Sequence, residues 1–371
     1  MMFDRLRSRR KGLAPEQTTL IPLLDRLEAA VAGQDAADFE TACQNLQRAL
    51  GNGHPGELAD MGARLTALLP AVPPWPRAYV AVMVGACVEG GADPVACSEP
   101  ILNGVREALT GALLFAERWE QVGGGKELPQ PGSDDAPDDP DRDDPDRAIE
   151  LLGGQQAPDA LRAVTGWWTL HLWELAAVSV LSDTAVRTAA AASGVLAELL
   201  RLADDYAGVN HELKCLTYAA KTLHEEELLV LDRPTGTGYL LRMSGLTDNF
   251  QLHTLLAHVL VGGGHLKGDA PSAAAVAACR DADIAPEQRP HTVGAFNLVA
   301  PDGSWIWNEG TPSDIPVLDG VRTLVLDPAP YRRGWPAGRF IPGIEGELTL
   351  VRVLSPQESG AALAKAAEPK R

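Results

Sequence analysis

The hydrophobic period of the chain changes once, near residue 226, and that change most constrains the fold. Before it, apolar residues recur every three or four positions; after it, they tend to alternate. The first spacing lines one stripe of a helix and the second lines one face of a strand. The expected class is therefore α+β. An N-terminal all-α helical bundle is followed by a smaller C-terminal α+β domain with a mostly antiparallel sheet. Clean β-α-β alternation is absent from the sequence, which counts against a doubly wound fold. A length of 371 residues exceeds one ordinary core, so two domains, or three, are expected.

The helical stretches carry their own punctuation. Leu20, Leu23, Leu24, Leu27 and Val31 form one stripe, with Thr19 as a cap and Gly33 past the end. Asp35 caps a second stretch with Phe39, Ala42, Cys43, Leu46 and Leu50 at helical spacing. Leu58, Met61, Leu65 and Leu68 mark a third. The stretch RAYVAVMVGACVEGG is apolar nearly all round, which places it inside a bundle. A helix from Ser98, with Pro100 in its first turn, turns Ile101, Val105, Leu109 and Trp119 toward the core. From Pro158 a stretch with Trp167, Trp168 and Trp173 is too bulky for a surface. A long Ala-rich helix then runs to Gly208.

Residues 124–147 break this pattern. Within them, 134–146 hold eight Asp and one Arg, and nothing there can be buried. The segment reads as a disordered acidic linker. The expected plan is a helical region over 1–123, the linker over 124–147 and a second helical segment over 148–225 packing on the first. An α+β domain over 226–355 and a frayed polar tail over 356–371 follow.

In the C-terminal part, ELLVLD and GYLLRM flank RPTGTG and read as a hairpin. Thr247 caps a helix through DNFQLHTLLAHVLV, and a short helix is expected around 272–279. VGAFNLV and SWIWNE flank a Pro-Asp-Gly turn at 301–303 and read as a second hairpin. Alternation would put Trp305 and Trp307 on one face and Ser304, Ile306 and Asn308 on the other. VRTLVLD and ELTLVRVL supply further strands.

A formal charge of −18 argues against general affinity for nucleic acid or an anionic membrane. No run approaches eighteen apolar residues, and the basic N-terminus is not followed by the apolar stretch of a secretory signal. Five scattered cysteines with no CxxC argue against a disulfide framework and fit reduced thiols in a cytoplasmic protein. The excess of Arg over Lys and the abundance of Ala fit a GC-rich bacterial genome.

Motifs for chemistry are weak. In NHELKC, His211 and Cys215 are four apart, so on a helix they would share a face able to grip a metal. A third ligand is missing nearby: His224 lies thirteen residues on, roughly 20 Å along a straight helix. A packed helix, with no metal, is the favoured reading. A Cys215 nucleophile with His211 as base is disfavoured by its expected mid-helix position. His253 and His258 are five apart and face away from each other, so His258 reads as a core or edge histidine. VGGGHLKGD has the glycines of a phosphate loop but lacks the Gly-Lys-Ser/Thr ending, so no cofactor is expected.

The stronger constellation is YRRGWPAGRF. Arg332, Arg333 and Arg339 form a basic island beside Tyr331 and Trp335, able to hold a carboxylate or phosphate. The competing reading pairs these arginines with Glu309, Asp314 or Glu345. Two functions follow. The first is an interaction or adaptor protein without an evident catalytic motif. It would bind a protein partner or acidic ligand through the C-terminal domain, with a small-molecule ligand as a further option. The second is an enzyme with an acid–base site between the helical and C-terminal domains. Glu309, Asp314 and His291 would act there with Arg332 or Arg333.

Overall fold

A computed structural model of the chain describes residues 19–51, 53–125, 127–130 and 144–370. Most of the acidic run therefore lies outside the described residues. The chain divides after Ala220 into two compact units.

The first unit is helical: α1 Ile21–Gly33, α2 Ala36–Leu50, α3 Pro55–Leu68, α4 Pro74–Glu89 and α5 Pro94–Trp119 are followed by α6 Pro145–Leu151, α7 Pro158–Leu181, α8 Thr184–Ala192, α9 Val195–Ala207 and α10 Lys214–Ala220. Side chains of Asp35, Asp93, Asp144 and Asp183 accept hydrogen bonds from the first-turn amides of α2, α5, α6 and α8. Because Asp93 caps α5, that helix starts earlier than expected and Pro100 lies inside it. The long Ala-rich helix is two helices, α8 and α9, parted at Gly194, whose φ of 81° is left-handed. Phe115 on α5 stacks on Trp119 and Trp167, with centroids 5.0 and 5.1 Å apart, and meets Trp168 edge-on. These rings explain why Trp119, Trp167 and Trp168 can be buried: they fill one aromatic core. The indole of Trp119 donates to the Glu127 carbonyl at 3.0 Å and that of Trp167 to the Pro129 carbonyl at 3.1 Å. The start of the stretch expected as linker is thus packed against the helices. Among the described residues, no single helix is long and apolar enough to cross a membrane.

The second unit is built on a sheet. Its strands are β1 Glu226–Asp232, β2 Thr237–Ser244, β3 His291–Val293, β4 Phe296–Val299, β5 Val317–Leu318, β6 Val321–Pro328, β7 Gly334–Pro336 and β8 Glu347–Val353. The main sheet runs β4-β6-β1-β2-β8, with β5 added to β6; a separate ribbon pairs β3 with β7. Only β1 and β6 pair in parallel, so the sheet is mostly antiparallel, as the sequence led one to expect. Strand alternation divides the apolar residues between two faces. Leu228, Val230, Leu324 and Leu326 face a core shared with helices α11 Asn249–Ala257 and α12 Ala273–Arg280. Leu231, Val299 and Val325 face the opposite way, toward Leu363 on helix α13 Pro356–Leu363.

Two expectations fail here. The C-terminal tail is not frayed: Ser355 and Glu358 form a reciprocal capping box that starts α13. Beyond it, the amides of Ala367 and Lys370 donate to the carbonyls of Pro301 and Gly303. SWIWNE is not a strand, since only a single bridge, Val299 to Trp305, forms. The rest is a loop held to α11, where the Asn249 amide side chain donates to the Trp307 carbonyl at 2.9 Å. The Asn249 backbone N–H donates to the Gly310 carbonyl at 2.9 Å.

Candidate functional site

Helix α11 positions the site. Asp248, not Thr247, is its cap, accepting from the Gln251 amide at 2.7 Å. Asn249 and His253 are four apart and therefore share a face of the helix. The His253 ring is 0 % exposed. Its Nε2 accepts the backbone N–H groups of Ala295 at 3.1 Å and Phe296 at 3.2 Å. An Nε2 that accepts carries no proton, so the neutral ring holds its proton on Nδ1. The ring lies between Trp335, at 5.0 Å, and Phe296, stacked at 5.9 Å. Gly294 permits this approach: a Cβ there would lie 3.2 Å from both the His253 ring and the Trp335 ring. His253 is lowered to about 4, first by burial and then by the Arg333 charge, with an interaction from the Asn308 side chain opposing both.

Four side chains, His253 among them, carry buried polar atoms with no hydrogen-bond partner at ordinary hydrogen-bond geometry among the described residues. They are Nδ1 of His253, both amide atoms of Asn308, Oδ1 of Asn249 and Nη2 of Arg333. Asn308 is 3 % exposed and Asn249 1 %. Buried polar groups are almost always paired, and each unpaired one costs about 1–3 kcal/mol. Five such atoms beside one ring are the most concentrated departure from that rule in this unit.

Above this cluster the surface is aromatic. Trp307 is 60 % exposed and Tyr331 53 % exposed, and Val293 is exposed as well. The Arg333 guanidinium carbon is 6.0 Å from the Tyr331 ring centre. The Arg333 carbonyl accepts the Gly294 N–H at 2.9 Å, which ties the arginine loop to the end of β3. Arg333 is only half buried, so its side chain reaches from the surface to the cluster.

The residues singled out in the sequence fall into different places. Arg333 and Tyr331 meet at the cluster, and Arg332 is exposed beside them. Trp335 belongs to the site as a wall rather than a surface contact: it is buried, and its indole donates to the Thr254 hydroxyl at 3.3 Å. Arg339 does not join the basic island. It is buried, and its Nη2 donates to the carbonyls of Asp281 and Ala282 at 3.2 and 3.1 Å. Asp314 is exposed, accepts from the Thr311 amide and hydroxyl, and pairs with Lys221 at 3.1 Å. Glu309 is exposed beside Asn308, and His291 lies in β3 opposite Pro336.

His211 and Cys215 do not share a helix face. His211 precedes α10 and packs edge-on to Tyr206, with centroids 5.8 Å apart. Cys215 is exposed in the first turn of α10, not mid-helix, and a Glu174 carboxylate oxygen accepts the next amide, that of Leu216, at 3.1 Å. Among the described residues, no three His, Cys, Asp or Glu side chains converge as metal ligands. Sequence reasoning weighed His253 only against His258 and Asn308 only as a strand residue, and passed over Asn249. The four-residue spacing of Asn249 and His253 was the one available signal, and it has no meaning until the loop carrying Asn308 is placed against it.

Compared with known proteins, the chain matches no family model, no curated protein and no solved structure.

Proposed function

We propose that this chain is an interaction protein whose C-terminal unit binds an acidic segment of a protein partner. The contact face carries Trp307, Tyr331, Val293 and Arg332. One observation carries this reading: exposed aromatic side chains stand over a cluster whose Arg333 has a buried, unpaired N–H. Among the described residues, neither Arg332 nor Arg333 has a carboxylate within ion-pair distance. Trp, Tyr and Arg are the side chains that anchor protein interfaces, and an unpaired guanidinium selects a carboxylate. In a chain of charge −18, unpaired arginines are a local exception that directs an acidic group to one place. Of the acid–base candidates, Asp314 is engaged in its turn and with Lys221. Five free thiols and an Arg-rich composition support placing the protein in a bacterial cytoplasm.

The test is quantitative capture from an extract of the source cells. The bait is the full chain as wild type, Trp307→Ala, Arg332→Glu, or Tyr79→Ala as an exposed control in the helical unit. Loss of an aromatic anchor costs about 2 kcal/mol or more, so partner retention should weaken roughly thirtyfold in Trp307→Ala. Arg332→Glu should also weaken it, and Tyr79→Ala should not. Equal capture by all four baits would contradict the proposal.

A further inference from the structure

We propose that the helical unit binds a small apolar monocarboxylate in a groove lined by residues of α4, α5 and α7. The groove has a volume of about 550 Å³, and every residue lining it belongs to this unit. Ligand pockets run from about 300 to 1,000 Å³ and are mostly apolar, with a few polar groups that fix orientation. Close packing builds the floor. A Cβ on Gly104 of α5 would lie 2.0 Å from the Trp173 ring of α7. The missing side chain lets the buried indole come up against α5, and both residues line the groove. Leu161, Thr165, Thr169 and Trp173 recur every four residues, so they form one stripe of α7 along it. That stripe is roughly 18 Å long at about 1.5 Å per residue. At its start Leu161 is 38 % exposed, an apolar side chain left open at the surface.

The charged residues of the groove select an anion. Arg77, Arg106 and Arg162 stand against Glu107 and Glu198, an excess of one positive charge in a chain of net charge −18. Arg106 is matched by Glu198 at 3.4 Å, and Arg162 by Asp159 of its own helix at 3.7 Å. Arg77 is the arginine left over. It is half-buried, its Nε donates to the Val72 carbonyl at 3.0 Å, and no described carboxylate lies within ion-pair distance of it. The Nε contact holds the guanidinium in place and leaves both Nη groups to donate to the two oxygens of a carboxylate. Glu107 and Glu198 oppose a second negative charge, so a monoanion fits better than a dianion. The carboxylate meets Arg77, and the apolar body lies along the α7 stripe.

The probe is decanoate, titrated into the full chain by isothermal titration calorimetry. Acetate, which has the charge without the body, and 1-decanol, which has the body without the charge, are the comparisons. Saturable one-to-one binding of decanoate is expected, with both comparison ligands weaker by about tenfold or more. Arg77→Gln should weaken decanoate about tenfold to a hundredfold, the range for losing a charge-assisted hydrogen bond. Leu161→Asp sets a negative charge on the stripe and should weaken it by about tenfold or more. Leu161 is exposed, so this variant tests the groove even if loss of the Val72 contact unfolds Arg77→Gln. Arg48→Gln, exposed on α2 and outside the groove, should bind as the wild type does. Thermal melts of each variant show that it is folded.

Failure of decanoate to bind the wild type overturns the inference. So does binding of acetate or 1-decanol as tight as that of decanoate. Decanoate binding left intact by a folded Leu161→Asp would place the ligand elsewhere and overturn it equally. None of these residues belongs to the contact face of the C-terminal unit, whose test is separate.

Discussion

Asp248 and His253 stand on one helix and titrate in opposite senses. Burial raises Asp248 to about 6 despite amide hydrogen bonds from Gln251 and Phe250 and the nearby charge of Arg289. The folded state therefore binds more protons at Asp248 than the unfolded chain between about pH 4 and 6, and stability is lost as pH rises through that window. His253, lowered to about 4 by burial, does the reverse: stability is lost as pH falls from about 6.5 toward 4. Asp248→Asn keeps a capping side chain but removes the acid. Relative to wild type, its melting temperature should therefore climb as pH goes from about 4 to 6. Thermal melts across that range check this, and a constant difference would contradict it. At this scale the sequence was least informative. Arg333 and Arg339 are the same letter in one loop, yet one reaches an unpaired cluster and the other is spent on carbonyls. Which nitrogen of His253 is satisfied depends on amides more than forty residues away.

Elements were more legible than residues, because a helical stripe and a strand alternation are local patterns. The contact of α5 with α7 shows what those patterns leave out. A Cβ on Gly166 would lie 2.6 Å from the Ala108 carbonyl oxygen and 2.8 Å from the Ala112 nitrogen, both backbone atoms of α5. Gly166→Ala should therefore destabilise the helical unit by about 1–3 kcal/mol, even though alanine is the better helix former by about 1 kcal/mol. Denaturant titration checks this against Gly33→Ala, where a Cβ meets nothing within 4 Å. A neutral or stabilising Gly166→Ala would show that the two helices are not in backbone contact. The missed elements have physical causes. SWIWNE alternates but gains only one bridge, so its backbone groups go to α11 instead. The helix expected through NHELKC shrinks to α10, whose Leu216 amide is met by Glu174 on α7. The helix α13 was written in Ser355-Pro-Gln-Glu358, a capping box overlooked beneath the polar, Ala-rich composition.

For the molecule as a whole, the change of period near residue 226 and the division after Ala220 fall within a few residues of each other. Fold class was readable for that reason: each unit buries its own apolar face, and each face announces its period in the sequence. The candidate site was not readable, because it joins α11, the loop after β4 and the loop before β7, which are far apart in the chain. The central claim is that the face over this cluster meets a partner. The most direct measurement replaces Trp307 with a photo-crosslinking amino acid in the full chain, within the source cells, and identifies the adducts by mass spectrometry. Position 79, exposed in the helical unit, serves as the comparison. A discrete adduct from 307, absent from 79 and mapping to an acidic segment of one protein, is the expected result. No adduct from 307, or the same adducts from both positions, would contradict the account.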